Sequence, residues 1–513
     1  FGLKMMCFPE YVATMFASRV LQRPVKWTST RSEAFLSDSH GRDHVTEASI
    51  AMDKEGNFLG VKVDTVAAVG AYLSQYGIFI PTLAGAGMHV GVYKIPVLYN
   101  KVNVVYTNTV PVDAYRGAGR PEASYVIERL VDKAADDLGI DPVELRVKNF
   151  VQPDEIGKHE GAILPLDSCD FKKTTEMSMV NSSYDDFLKR KEESKLENKL
   201  KGIGISYYIE RTQGEGAENS RVVISGEGSV KVFAGTQATG QGHETAWTQI
   251  LVEKLGVNPE DVSIHFGNSD DLPGGGGTGG SKSLYMAAGA INDASNAMLK
   301  KGIEIAANEL EASIDEIEYT TDAGPLFQVK GTNRNIDLYS VARLAESQSN
   351  TQVLDGESVY EHKDPTFPNG CHICEISIDK ETGRIEIDNY SATDDFGRII
   401  TPLLVAGQVH VGIVQGMGEQ AIFEEESGQL INGSYMDYHM PRADEFPHLD
   451  LDFNEESECT TNMLGAKGCG EAGTVASTTA YVNAVYDALS GYDFKDLDMP
   501  ITPMKVWRIV NNH

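Results

Sequence analysis

The sequence predicts an α+β protein of two large units, each mixing sheets with helices. Three observations carry that expectation. The chain has 513 residues, whereas a single domain usually holds about 100–200. Strand-like runs broken by Gly- and Pro-bearing turns fill residues 43–110, and capped helices follow them. Residues 151–200 then become polar and charge-mixed, which reads as a connection. The expected division is a first unit over 1–155, a connecting segment over 156–200 and a second unit over 201–513.

The elements follow in order. Residues 59–64 and 102–106 are strand-like. A helix opens at Pro121-Glu122, with Pro in its first turn and an acid beside it, and stops at Gly139. A second helix spans 142–149, and the mixed charges of 188–193 read as a solvated connecting helix. Beyond it, residues 230–233, 242–255 and 262–266 read as strand, helix and strand. A strand pair at 373–378 and 384–392, a helix near 405–422 and a last helix near 474–489 complete the chain. No internal repeat of fixed period is present.

Composition narrows the class. With 41% hydrophobic and 23% charged residues the chain is an ordinary globular protein, neither disordered nor collagenous. Its formal charge of −31 opposes nucleic-acid binding, which needs a basic surface to displace phosphate counterions. No run reaches the roughly 18–20 apolar residues of a transmembrane helix, and the opening residues lack a signal-peptide pattern. The chain opens without Met and within a motif, so it is expected to be the C-terminal piece of a longer polypeptide. Six cysteines are too few for a disulfide scaffold, and reduced thiols in a cytoplasmic protein are expected. Cys371-His372-Ile373-Cys374 has the spacing of a redox or metal motif. On a strand, however, positions three apart face opposite ways, so a structural pair is expected.

Four loops have the residue types that carry chemistry. Asp113-Ala114-Tyr115-Arg116-Gly117-Ala118-Gly119-Arg120-Pro121 brings two arginines and flexible glycines to a helix start, where donors can meet an anion or oxo group; taken alone it is equally a capped turn. In the loop 235–244, glycines allow close backbone approach and Gln241 can donate and accept at once. His243 and Glu244 in that loop face about 100° apart on a helix, which does not suit a metal pair. The loop 274–283 nearly matches a nucleotide P-loop, but Ser281 intrudes before Lys282 and breaks the required triplet. It remains either a phosphate cradle or a linker. In the loop 465–474 a lone carboxylate, Glu471, stands among small residues before a helix, either as a general base with its pKa raised by burial or as a plain helix-start acid.

Together and in this order, these loops resemble the large subunit of the molybdenum hydroxylases, the family of xanthine dehydrogenase, aldehyde oxidase and carbon monoxide dehydrogenase. AYRGAGR at 114–120, GQGHET at 240–245, VQGMG at 414–418 and KGCGEAG at 467–473 carry the resemblance, which covers essentially the whole chain. Phe1-Gly2 looks like the tail of the family's GGGFG loop. The resemblance implies two molybdenum-cofactor-binding domains with the cofactor buried between them. The metal would be held through a pterin dithiolene, with no direct protein ligand. By resemblance, Phe1 and Arg116 approach the metal's ligands, with Gly2 and Ala114 beside them. Gln241 and Gln415 would bind the pterin, flanked by Gly240 and Gly242, and Gly280, Ser281 and Ser283 would hold its phosphate end. Glu471 matches the catalytic base, Arg116 assists it, and Tyr115, Gly117 and Ala118 border the substrate pocket.

The implied reaction is hydroxylation with water as the oxygen source. Its electrons would leave for a 2Fe-2S cluster and FAD. This chain has neither cluster-type Cys spacing nor a dinucleotide fingerprint. An iron–sulfur small subunit and a FAD-binding medium subunit are therefore the implied partners, in a dimer of heterotrimers, with the pterin in its cytosine dinucleotide form. Departures narrow the substrate. Purine-oxidising members carry a Glu where this chain has Met5, an aromatic where it has Ala118, and an Arg near Leu83-Ala84-Gly85. Losing all three removes the contacts that select a purine. Carbon monoxide dehydrogenases carry a copper-binding Cys where this chain has Gly117. An aldehyde or N-heterocycle is the expected substrate, with carbon monoxide oxidation and a non-catalytic cofactor carrier as the alternatives.

Overall fold

The computed structural model describes residues 7–157, 166–212, 216–272, 274–348, 353–418, 422–424 and 426–511. Phe1, Gly2 and Met5 lie outside the described residues. The chain opens with α1 (Pro9–Leu21) and α2 (Arg31–Ser37), then forms a three-stranded sheet in the order β1 (His44–Met52), β2 (Phe58–Ala68), β3 (Leu98–Val105). α3 (Arg120–Leu138) and α4 (Pro142–Asn149) follow. Gly139 closes α3 in the left-handed region at φ 65°, as the sequence predicts.

The charged run 188–193 lies in a largely solvated helix, as the sequence predicts, and the segment around it packs at a few positions. α5 (Phe171–Asn181) and α6 (Phe187–Ser194) bury Phe171, Thr174, Thr175 and Phe187. The charged run hides this because its buried positions sit at its ends. Next come β4 (Lys199–Ile209), β5 (Gly216–Ile224), β6 (Val230–Ala234), α7 (His243–Leu255) and β7 (Val262–His265). α8 (Ser283–Glu309) runs 27 residues; its first turns are buried almost all round, and from Ile291 on the buried positions recur every three or four residues. β8 (Ile317–Thr320), β9 (Leu326–Val329) and β10 (Asn335–Asp337) form a small antiparallel sheet before α9 (Leu338–Gln348). β11 (Leu354–His362) joins the sheet β11-β5-β6-β7.

A second four-stranded sheet is central to the site. β12 (Asn369–Asp379) and β13 (Ile385–Asp395) pair with β4 and with β14 (Leu449–Phe453) in the order β14-β13-β12-β4. α10 (Pro402–Gly418) and α11 (Ala472–Ala488) cover one face, and α12 (Pro503–Val510) follows as a further helix where 474–489 was expected to be the last. β12 is buried on both faces, which separates its two cysteines as the strand geometry requires. Cys371 packs into the core shared with Tyr207 and Phe150, Cys374 into the core beneath α10 and α11. All six cysteines are free.

Glycines set the closest approach in this layer. A Cβ on Gly202 or Gly204 of β4 would lie 2.0 or 2.1 Å from the backbone oxygens of Ala484 and Ala480, so strand and helix α11 touch backbone to backbone. Gly412 and Gly473 do the same between α10 and α11. Among the described residues no helix is long and apolar enough to cross a membrane.

Candidate active site

The start of α11 is where separate loops meet. Glu471 is its N-cap residue, and the glycine crossing of α10 and α11 brings Gln408 and Gln415 alongside. The 113–121 loop comes in from the first sheet. Asp113, almost fully buried, anchors it by accepting from the amides of Tyr76 at 3.1 Å and Ala114 at 2.7 Å. Gly117 and Gly119 then turn the chain at φ 96° and 93°, and Ala118 sits between them at φ 29°. Gly119 must be glycine on space as well: a Cβ would lie 2.8 Å from the Gly85 nitrogen.

The carboxylate of Glu471 receives donors from three directions. Gly117 N–H donates to Oε1 at 2.9 Å, the Ser281 hydroxyl lies 2.6 Å from Oε2, and Arg120 Nη2 reaches Oε2 at 3.3 Å. Its side chain is 14% exposed. Burial alone would raise its pKa, as the sequence reading expected. Arg120, Glu210, Ser281 and the Gly117 amide outweigh burial and hold Glu471 below the ordinary carboxylate value. The expectation of a raised pKa is corrected: Arg120 stands 351 positions away in sequence, so its charge beside Glu471 shows only in the fold.

Arg116 is oriented by its surroundings rather than aimed at Glu471. Nε donates to Gly470 O at 2.6 Å, Nη1 to Gln415 Oε1 at 3.0 Å, and Nη2 to Gln408 Oε1 at 2.9 Å and Gln408 O at 3.1 Å. A guanidinium only donates, so both glutamine oxygens must face it. Their amide –NH2 groups consequently point elsewhere and have no partner among the described residues. Burial pulls the Arg116 pKa down, with Glu471 opposing. Tyr115 lies under the Arg42 guanidinium at 4.6 Å, and Arg42 also donates to the Arg116 carbonyl.

The remaining predicted residues divide. Ser281, in the left-handed region at φ 57°, gives its hydroxyl to Glu471 and its carbonyl closes on Gly468, where a Cβ would come within 1.9 Å. Gly280 turns at φ 64° before it, and Ser283 begins α8. Lys282, 5% exposed, sits beside Glu218 against Gly276, and burial lowers its pKa. Gln241 stays within its own loop, bonding Thr239 through N–H···Oε1 at 2.6 Å and Nε2–H···Oγ1 at 2.9 Å. Gly240 has open space at its Cβ position, whereas Gly242 packs on Leu404 at the start of α10. His243 bonds Thr278 at 3.1 Å, which ties this loop to the 274–283 loop.

Two residues here escaped the sequence reading. Glu210 follows β4 and is fully buried, with Oε1 3.2 Å from Arg120 Nη2 and 3.1 Å from Ser281 Oγ. Gln408 lies one helical repeat before Gln415 and shares Arg116 with it. Seven-residue spacing on one helix face was the available signal.

The donor set suits an acceptor-rich, anionic group. Two glutamine amides are turned outward by Arg116, a buried ammonium lines a glycine loop, and Gly240, Gly277 and Gly279 leave space where side chains would stand. Among the described residues no cluster of three His, Cys, Asp or Glu side chains is arranged to hold a metal ion directly.

Comparison with known proteins agrees. Residues 1–150 and 178–447 match two molybdopterin cofactor-binding domain families. The chain is 32% identical to the 6-hydroxypseudooxynicotine dehydrogenase complex subunit gamma of Paenarthrobacter nicotinovorans, over 99% of this chain and 65% of that one. It is also 32% identical to the carbon monoxide dehydrogenase large chain of Hydrogenophaga pseudoflava, over 100% of this chain and 66% of that one. Among solved structures, quinoline 2-oxidoreductase from Pseudomonas putida 86 superposes with a TM-score of 0.90 at 28% identity, over 98% of this chain and 66% of that one. The chain thus spans about two thirds of the length of these relatives. It belongs to the molybdopterin cofactor-binding family that includes them.

Proposed function

We propose that this chain is the catalytic, cofactor-binding part of an oxidoreductase that hydroxylates an aldehyde or N-heterocycle with oxygen from water. The observation that carries the reading is Glu471, an anionic carboxylate held by donors from two distant loops yet still 14% exposed. When bound, the molybdenum–pterin group supplies Lewis acidity and two-electron redox capacity. The chain's own residues do the rest. Glu471 takes the proton released as water-derived oxygen is delivered to the substrate carbon. Gly117 N–H and Ser281 aim its two oxygens, and Arg116 locks Gln408 and Gln415 with their donors outward.

In this reading Ala114, Arg116, Gly240, Gln241, Gly242 and Gln415 hold the pterin, and Gly280, Ser281 and Ser283 its phosphate end, with Lys282 added from the structure. The serine hydroxyl at 281 belongs to Glu471, so its backbone is what it offers a phosphate. Tyr115, Gly117 and Ala118 border the substrate. We place the domain limits at 1–155 and 201–513 around the 156–200 connection. The nucleotide form is cytosine dinucleotide, and an iron–sulfur small subunit and a FAD-binding medium subunit in a dimer of heterotrimers take the electrons, in the cytoplasm.

Copper-dependent carbon monoxide oxidation is disfavoured by Gly117. It carries no thiol, and a Cβ added there would lie 2.5 Å from Pro121 Cγ at a φ of 96°. The deciding experiment is anaerobic mixing of the full-length complex with aldehydes, azaheterocycles or carbon monoxide while following flavin and cluster absorbance. Bleaching by an aldehyde or azaheterocycle without bound copper is expected. Bleaching by carbon monoxide with stoichiometric copper would replace hydroxylation with the rival reaction, and no bleaching by any of them would make the protein a cofactor carrier.

A further inference from the structure

The contacts around Glu471 contain a hydrogen-bond conflict. Ser281 Oγ accepts from the Glu471 N–H at 3.1 Å, lies 2.6 Å from Glu471 Oε2, and lies 3.1 Å from Glu210 Oε1. A hydroxyl has one hydrogen and cannot donate to both carboxyls. The shorter contact takes it. The second contact is then attractive only if the hydrogen sits on Glu210.

Three further features agree. Glu210 is 0% exposed, and its Oε2 is buried without a partner among the described residues. A bare anionic oxygen in that position is costly, and the carbonyl of a neutral acid much less so. Arg120, the one cation bonded to Glu210 among the described residues, is shared at 3.2 and 3.3 Å between Glu210 and Glu471, so a single positive charge faces two acids. Among the described residues, the other groups facing Glu210 add no compensating cation at bonding distance. Arg116 is engaged by Gly470, Gln408 and Gln415, and Tyr208, Tyr285 and Cys469 have pKa values pushed up by burial.

We propose that Glu210 is a positioning residue that keeps its proton, donating it to Ser281 Oγ so that the Ser281 hydroxyl and the Arg120 charge both serve Glu471 as the lone anion of the pair. This deepens the role proposed for Glu471 and rests on it. Burial and the neighbouring Glu471 charge also push the Glu210 pKa well above the usual carboxylate value, against Arg120. The pair therefore holds one proton at rest and two after Glu471 has accepted its own. Glu210 never touches substrate.

The test uses the full-length holo complex and three variants. Glu210→Gln preserves a neutral donor and is expected to keep turnover within roughly threefold, with the acid limb of the pH–rate profile unmoved. Glu210→Ala leaves Ser281 and Arg120 without this partner and is expected to cost turnover roughly tenfold or more, in the range of a lost acid–base or positioning contact. Infrared difference spectra of complexes with and without cofactor supply a readout independent of turnover. A protonated-carboxyl C=O band is expected in the parent protein, and is expected to vanish in Glu210→Gln. If Glu210 is ionised, Glu210→Gln removes a negative charge beside Glu471, moves the acid limb to lower pH and abolishes no such band; either result overturns the proposal. Should Glu210→Ala fail to fold, the Glu210→Gln profile and spectrum still decide. Unchanged turnover in Glu471→Gln would instead refute the catalytic reading, and the Glu210 band would stand or fall separately.

Discussion

Glu471 and Gln241 stand in loops of similar composition but opposite organisation. Glu471 is reached by donors from positions 117 and 120 of one loop and from position 281 of another, far apart in the chain. Among the described residues Gln241 bonds only Thr239, two residues away, and open space surrounds Gly240, Gly277 and Gly279. The contrast teaches that Glu471, the proton acceptor of the proposed reaction, is organised by the polypeptide across distant loops, whereas the loops proposed for the pterin and phosphate make mostly local bonds and leave open space. Preorganisation of the first kind costs no rearrangement at the moment of reaction.

The sharpest way to break this comparison is Glu471→Gln. Turnover is expected to fall by at least about 10²-fold, the usual contribution of a placed acid–base group, with molybdenum content unchanged; steady-state kinetics with metal analysis checks both, and preserved turnover would erase the distinction. Gly468→Ala attacks the same site through space. Its Cβ would meet the Ser281 carbonyl at 1.9 Å, so a loss of about 1–3 kcal/mol, the range for overpacking, is expected in denaturant unfolding. An unshifted midpoint would mean the crossing is looser than drawn.

A smaller effect concerns the turn beneath the arginine loop. His89, beside the Ala86 carbonyl and Asn100, is buried and its pKa is depressed by that burial to about 4 from 6.5. The unfolded chain therefore binds more protons between those values, so this contribution is complete above pH 6.5 and is lost as pH falls toward about 4. The slope is roughly 1 kcal/mol per pH unit, and His89→Gln should flatten it in unfolding measured across that window. The least change in stability is expected from Gln241→Ala, within about 0.5 kcal/mol as for exposed positions. Cofactor occupancy should nevertheless fall. A large stability loss with full occupancy would reverse the roles of the two regions.

Much of the architecture was legible from local chemistry. α3 and α4 carry Pro at their starts, and Gly139 ends the first, so propensity and fold agree. The Cys371–Cys374 separation followed from strand geometry alone. The helix α8 was passed over: its first turns are buried almost all round, and the stripe Ile291, Ala294, Met298, Gly302, Ala306 beyond them is built largely from small residues. At the site, the four loops announced themselves through Gly and Arg clusters. Glu210 did not, since a carboxyl at the end of a strand is ordinary until Arg120 and Ser281 close on it from 90 and 71 residues away. The depressed pKa of Glu471 was hidden for the same reason.

Gly202 and Gly204 have a mechanical consequence. They let β4 lie directly on the backbone of α11, and Glu210 follows that strand while Glu471 caps that helix. The spacing of the two acids is thereby gauged by a seam with no side chains to compress. Breathing of the substrate entrance would carry both acids together as one block, and the proton balance between them would be indifferent to it.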